Sequence, residues 1–168
     1  DVGENSPALL LLALELQEKT IDIHYGDVGF SYESLFGAYL VAAKKVRIED
    51  PYVRTHHQVV NFLRFCEVCA SKETITELTL VTSFEHEFTK EKTADKLEVI
   101  RESLASRGIV LKVEYNQNLH DRDITTDTGW SIRIGRGLDV YQRPEDRLEI
   151  GSLDLDLRKC METKVTIV

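Results

Sequence analysis

From residue 20 to residue 115, short runs of β-branched and apolar residues alternate with longer segments in which apolar residues recur every three or four positions. The first pattern predicts strands, and the second predicts helices with one face in the core. The predicted strands are Thr20–Tyr25, Lys45–Glu49, Leu78–Thr82 and Ile109–Tyr115. The predicted helices are a short one capped by Ser31, one from Thr55 to Ser71, and one from Lys90 to Arg107 that Gly108 ends.

This alternation indicates an α/β domain with a largely parallel or mixed sheet that is flanked by helices on both faces. In such sheets, ligands bind outside the carboxyl ends of the strands. Asp50, Tyr52 and Arg54 directly follow the predicted strand Lys45–Glu49. They are therefore expected either to form the wall of a pocket or simply to stop the strand.

Beyond residue 115 the pattern changes to short alternating segments. Asp121–Thr125 and Trp130–Ile134 flank the turn sequence Thr126-Asp127-Thr128-Gly129, which predicts a β-hairpin. Leu148–Leu157 and Lys164–Val168 are predicted to add further strands.

The chain has 168 residues, which is enough for one domain with its own core. We expect residues 20–168 to form this domain and residues 1–19 to be an N-terminal helix or the remnant of a linker. No run approaches the ~18 apolar residues that a membrane-spanning helix needs. The richest apolar stretch, Ala8–Leu16, has acidic residues before it, which argues against a signal peptide.

The cysteines indicate reduced thiols in a cytoplasmic protein, because Cys66, Cys69 and Cys160 make an odd number. Cys66 and Cys69 form a C-x-x-C sequence, but no second cysteine or histidine pair completes a set of four zinc ligands. Their spacing fits two small buried side chains on one helix. No metal and no cofactor is therefore expected.

The net charge of −8 opposes long-range attraction to nucleic acids and to anionic lipids, so nucleic acid is not an expected partner. An anion site would have to be local. Positive residues after position 119 are mostly arginines, whose planar guanidinium suits bidentate recognition of phosphate.

The sharpest chemical feature is His120-Asp121-Arg122 followed by Asp127, in the order H-x-R-x4-D. Alternate residues of a strand point to one side, so His120 and Arg122 are expected on the same face. With Asp127 returning across the hairpin turn, the three side chains are predicted to converge on one anion.

This motif resembles the H-x-K-x4-D signature of the phospholipase D superfamily, with Arg122 in the lysine position. The resemblance implies a histidine that attacks phosphorus, a cation that stabilises the phosphoryl oxygens and an aspartate that orients the motif. Two departures are visible: Gly135-Arg136 replaces the downstream Gly-Ser of the family, and no second such motif occurs in the chain. An active enzyme would need a homodimer that pairs two copies of His120.

A wider resemblance covers residues 29–166. The chain is similar to the C-terminal domain of proteins with an N-terminal microtubule-interacting-and-trafficking (MIT) domain, and the strings that carry this similarity are Gly29–Phe36, Glu49–Arg54, Asn61–Glu67, His120–Arg122, Gly129-Trp130, Ile134–Asp139 and Asp156–Cys160. The resemblance implies a phospholipase D-like fold, binding to phosphoinositide-containing membranes, homodimerisation, and a role in ESCRT-III-dependent remodelling such as cytokinesis.

The same resemblance implies contact with ESCRT-III through an N-terminal MIT module, which is missing from this sequence unless Ala8–Lys19 is the end of its last helix. In a eukaryote it implies a cytoplasmic protein that is peripheral on endosomal or midbody membranes.

The favoured hypothesis is a non-catalytic domain that binds phosphate headgroups. The residues expected at this site are His120, Arg122, Arg133, Arg136, Arg54 and Tyr52. The first alternative is a dimeric phosphodiesterase, a lipase or nuclease, with His120, Arg122 and Asp127 as its catalytic residues. The second alternative is a scaffold that binds protein through its exposed faces and retains only a vestigial pocket.

Overall fold

The computed structural model describes residues 16–168, which form a sheet of seven strands with three helices. The strands are β1 (Lys19–Ile23), β2 (Lys45–Glu49), β3 (Glu77–Thr82), β4 (Val110–Tyr115), β5 (Asp123–Thr126), β6 (Ser131–Ile134) and β7 (Thr163–Ile167). The helices are α1 (Tyr32–Leu40), α2 (His56–Ala70) and α3 (Glu87–Ala105).

The sheet is mixed, with the strand order β1-β7-β6-β5-β2-β3-β4. Strands β2, β3 and β4 are parallel, whereas the remaining neighbours pair antiparallel. Helices α2 and α3 connect the three parallel strands. The α/β class and the mixed sheet that the sequence predicts are both confirmed.

Local signals place the first two helices. The Ser31 hydroxyl accepts a hydrogen bond from the Ser34 amide and caps α1. Thr55 and Gln58 form a reciprocal capping box at the start of α2. Both predicted helix starts are confirmed, because a cap is decided by residues only three positions apart.

The core lies between the helices and one face of the sheet. Val46 and Ile48 of β2 are buried there, in register with Leu78 and Leu80 of β3. On the helix side the most deeply buried apolar residues of α2 are Phe62, Phe65, Cys66 and Cys69. Burial raises the pKa of the Cys66 thiol well above its usual range, so this thiol is unreactive, as expected for a core side chain.

The opposite face of β2, β3 and β4 is exposed. This differs from the sequence-based expectation that helices flank both faces of the sheet. It carries exposed charged side chains such as Arg47 and Lys112, and Arg47 pairs with Glu114 at 3.7 Å. The chain moves from β2 to β3 to β4 in one direction, and right-handed crossovers then place both connecting helices on the same side. We call this surface the open face.

The predicted strand Leu148–Leu157 is wrong, because this segment consists of turns and bends. Its apolar side chains are exposed, with Leu148 93% and Leu153 94% accessible. Strand β7, by contrast, lies where Lys164–Val168 predicts it.

Strand β1 begins at Lys19, and the division of the chain between residues 19 and 20 stays a prediction. The predicted helix or linker of residues 1–19 lies mostly outside the described residues. Within residues 16–168, no helix combines the length and apolar character needed to cross a membrane.

Candidate functional site

The open face carries a pocket of about 440 Å³ around His120. Strands β5, β6 and β7 supply its floor, and the segment that precedes β5 supplies its wall. We call it the His120 pocket, and its lining residues are His120, Asp121, Arg122, Asp123, Arg133, Ile134, Gly135, Lys164 and Thr166.

Strand register explains why these residues meet. Asp123 of β5 pairs with Arg133 of β6, and Arg133 pairs in turn with Thr166 of β7. Directly opposed residues project to the same side of a sheet, so all three line the open face. Lys164 lies two residues before Thr166 and reaches the same pocket.

Arg122 is held at the rim of the pocket by two contacts. Its Nη1 donates a hydrogen bond to the Gly135 carbonyl at 2.8 Å, and its guanidinium lies 4.6 Å from the centroid of the Tyr52 ring. Arg54 lies over the same ring at 5.3 Å and donates to the Ser83 hydroxyl. Tyr52 therefore positions both arginines by cation–π contacts.

Asp127 does not converge with His120 and Arg122, so this prediction is wrong. Asp127 lies in the hairpin turn, where its Oδ1 accepts a hydrogen bond from the Lys44 amide at 3.0 Å. It stands five positions after Arg122 along extended chain, a span of roughly 16 Å. The residue that returns across the hairpin to Arg122 is Ile134, whose amide donates to the Arg122 carbonyl.

Arg136 is not among the lining residues of the His120 pocket, because its side chain bonds within the loop that follows β6. Its Nε donates to the Asp139 carbonyl at 2.8 Å, and its amide donates to the Thr163 hydroxyl at 3.2 Å. Of the residues expected at the site, the structure brings His120, Arg122 and Arg133 together in one pocket, with Tyr52 and Arg54 beside Arg122.

Comparison with known proteins identifies the family of the chain. The family described as phospholipase D-like domain at C-terminus of MIT matches residues 29–168. The chain belongs to this family. It is also 46% identical over 151 residues to the mouse protein named MIT domain-containing protein 1. The matched residues make up 89% of this chain and 61% of the mouse protein. The chain thus spans about three fifths of the length of that relative.

Asp50 anchors a loop of this phospholipase D-like domain from the carboxyl end of β2. The side chain is buried, and its two oxygens accept hydrogen bonds from the Tyr52 amide at 2.9 Å and from the Leu138 amide at 3.0 Å. Burial raises the pKa of Asp50 above its ordinary value, although the two amides and Arg122 oppose this rise. Asp50 therefore ties the loop Gly135–Asp139 to the strand end.

A glycine is needed at position 137, where the loop Gly135–Asp139 passes close to the Asp50 carboxyl. Its φ is +62°, and a Cβ at this position would lie 2.2 Å from the Asp50 Oδ2. We expect Gly137→Ala to lower the free energy of unfolding by about 2 kcal/mol, through both backbone strain and displacement of a buried carboxyl. Urea denaturation monitored by circular dichroism measures this loss.

Gly26→Ala is the matched control for this prediction. Gly26 has a φ of +88°, but no atom lies within 4 Å of the position a Cβ would take. It should therefore show only the backbone cost of about 1 kcal/mol. Equal losses in the two variants would contradict the role of Gly137 in seating Asp50.

Carboxylates also border the His120 pocket. Oxygens of Glu49, Asp121 and Asp123 lie within 4.8 Å of one another. Burial raises the pKa of Asp123, and the neighbouring Asp121 raises it further. The sequence did not indicate this cluster because pairing of β2 with β5 creates it. Exposed acidic groups commonly gather without an ion, so the cluster is not assigned as a metal site.

Sequence reasoning also missed Lys164 of the His120 pocket. Lys164 is 42 residues away from Arg122 along the chain, and only the pairing of β6 with β7 brings them to one pocket. The only signal in the sequence was the alternation of Thr163–Ile167, which places Lys164 and Thr166 on the polar face of a strand.

Proposed function

We propose that this phospholipase D-like domain is a non-catalytic binder of phosphate headgroups, including those of phosphoinositides, on membranes. The observation that supports the proposal most strongly is the gathering of Arg122, Arg133 and Lys164 beside His120 in one open pocket. Arginine and lysine donate charge-assisted hydrogen bonds to phosphate oxygens. These three cations outnumber Asp121 and Asp123, the two carboxylates of the lining, so in a chain with a net charge of −8 they supply a local attraction for anions.

The two arginines of the pocket are available to an anion. Within residues 16–168 neither Arg122 nor Arg133 forms an ion pair with a carboxylate, and Arg133 is exposed. Lys164 has only a distant pairing with Asp22 at 3.9 Å, and both of these side chains are exposed. Among residues 16–168 no helix lies over the pocket, so the described part of the chain leaves it open to a membrane surface.

Three observations support a binding role rather than phosphodiester hydrolysis. The chain contains one H-x-R-x4-D motif, and Asp127 of that motif lies at the far end of β5. Among the described residues no group hydrogen bonds to the His120 imidazole. A histidine nucleophile needs a partner that orients it, so the dimeric enzyme has no specific support here.

We further propose that the domain acts as a homodimer in ESCRT-III-linked membrane remodelling or cytokinesis. The support is membership of a family whose description places the domain at the C-terminus of MIT, together with a relative named for its MIT domain. Sedimentation velocity of the isolated chain would test dimerisation, and a strictly monomeric chain would contradict it.

Vesicle binding by a double variant tests the proposed site. Arg122→Ala/Arg133→Ala should weaken binding to phosphoinositide-containing vesicles roughly 30-fold, since each basic residue near an anionic surface contributes about 1 kcal/mol. Co-sedimentation measured over a range of lipid concentrations gives the ratio.

Lys96→Ala/Arg107→Ala is the control, because it also removes two positive charges but lies on and just after α3, away from the pocket. It should bind nearly as the unaltered chain does. Equal weakening in both variants would show that only overall charge matters and would reject the His120 pocket as the site. Thermal melts of both variants show whether each is folded.

A further inference from the structure

A second pocket of about 680 Å³ lies between the first half of α2 and the segment Arg143–Arg158. It shares no lining residue with the His120 pocket. We call it the arginine pocket, and its lining residues are Thr55, His56, His57, Val60, Arg64, Arg143, Pro144, Arg147, Ser152, Leu153 and Arg158.

Helical spacing gives the pocket one of its walls. His57, Asn61 and Arg64 stand at positions i, i+4 and i+7 of α2, so they share one face of the helix. Arg64 donates to the Asn61 side chain at 3.3 Å, and Asn61 lies 3.4 Å from the His57 Nε2. Asn61 is fully buried, and its side chain links His57 and Arg64 at the edge of the pocket.

The lining of the pocket is positive and contains no carboxylate. It has four arginines and two histidines. None of the four arginines pairs with a carboxylate of the described chain, and Arg158 is buried with only carbonyl partners. Acidic residues of the same segment, such as Asp146 and Glu149, bond to nearby backbone amides instead and do not line the pocket.

Asp139 contacts the pocket from outside its lining, since its Oδ1 lies 3.4 Å from the His57 Nε2. Burial lowers the pKa of His57, and the charges of Arg143 and Arg64 lower it further, although Asp139 opposes them. Glu145 and Glu149 line an adjoining pocket that shares two of the arginines, so the carboxylates lie around the arginine pocket and not in its lining. A lining of positive charge without a carboxylate favours the binding of an anion.

The start of α2 adds to this field. Thr55, the N-cap of the helix, lines the pocket, and the first amides of a 15-residue helix carry a positive partial charge. The helix end supports the site but does not define it, since the arginines come from two separate parts of the chain.

We propose that the arginine pocket is a second anion site, which binds a phosphate monoester of a small molecule or headgroup. Guanidinium groups bind such a dianion bidentately, and a pocket of this volume accommodates a small-molecule ligand. The site goes beyond the proposed function because the loop Gly135–Asp139 separates it from the His120 pocket: Gly135 lines one, and Asp139 contacts His57 of the other. A soluble sugar phosphate and a lipid headgroup both carry the required chemistry.

Isothermal titration calorimetry with inositol trisphosphate tests the site at an ionic strength of about 0.15 M. The variant is Arg143→Ala/Arg147→Ala, both of which are exposed, so the fold should persist. It and the control Lys96→Ala/Arg107→Ala are both made in the Arg122→Ala/Arg133→Ala background, so that the His120 pocket does not bind the probe. In that background Arg143→Ala/Arg147→Ala should weaken binding at least ~10-fold. The control removes the same charge away from both pockets and should change affinity by no more than about twofold.

A second titration, in the presence of vesicles with the same headgroup, distinguishes the source of the phosphate. Competition by the vesicles supports a lipid ligand, and no competition supports a soluble one; both results keep the site. No binding of the probe to the unaltered chain, or equal loss in the two double variants, would overturn it. Equal loss in the two double variants would leave vesicle binding by the His120 pocket untouched, since co-sedimentation of Arg122→Ala/Arg133→Ala tests that pocket separately.

Discussion

Asp50→Ala is expected to lower the free energy of unfolding by about 4 kcal/mol at neutral pH. The variant leaves the amides of Tyr52 and Leu138 without their acceptor in a buried region, and each stranded donor costs about 1–3 kcal/mol. It also frees the loop Gly135–Asp139 from the end of β2. Urea denaturation measures the loss. Asp50→Asn keeps one acceptor oxygen and should lose about half as much.

The pKa of Asp50 gives this prediction a pH dependence. Burial raises the pKa above the value of about 3.9 in an unfolded chain. The contribution to stability is therefore complete below about pH 3.9 and is lost in part as the pH rises through the folded pKa. The deficit of Asp50→Ala should be larger near pH 4 than near pH 7. A deficit that grows with pH would contradict this assignment.

Arg158→Met is expected to lower the free energy of unfolding by about 3 kcal/mol. Arg158 is 5% exposed and donates to the carbonyls of Gly151 at 2.5 Å, Ser152 at 2.7 Å and Gln142 at 3.4 Å. Hydrogen bonds from a charged donor contribute about 1.5–3 kcal/mol each, and relief of the buried charge offsets part of their loss. Urea denaturation measures the loss, and hydrogen exchange of the amides in residues 145–157 shows whether this segment opens.

The control for Arg158 is Arg147→Met in the same segment. Arg147 is exposed, so its replacement should change stability by no more than about 0.5 kcal/mol. Arg158→Lys retains the charge but not the planar fork and should recover only part of the loss. If Arg158→Met and Arg147→Met had equal free energies of unfolding, the hydrogen bonds from Arg158 to the three carbonyls would not stabilise residues 145–157.

Features decided by near neighbours in sequence could be predicted. Strand β2 has the bounds that its alternating pattern predicts, and Thr55 caps α2 as its sequence indicates. The segment Leu148–Leu157 shows where this reasoning fails. Its alternating apolar residues suggested a strand, but its path is fixed by Arg158 and by Gly151, whose φ is +96°. Neither constraint is visible in a local pattern.

The candidate site could be predicted only in part, for the same reason. His120, Arg122 and Arg133 were found because a short motif and one hairpin bring them together. Lys164 required the pairing of β6 with β7, and the arginine pocket required the packing of Arg143 and Arg158 against α2. Asp127 was misplaced because the length of β5 carries it away from the motif's first residues.

The most direct measurement is co-sedimentation of the unaltered chain with vesicles that contain or lack phosphoinositide, with the lipids of the same samples analysed for released headgroup. We predict sedimentation only with the phosphoinositide vesicles, weaker binding as salt rises, and intact lipid throughout. Equal or absent sedimentation with both kinds of vesicle would contradict headgroup binding, and released headgroup would contradict a non-catalytic domain.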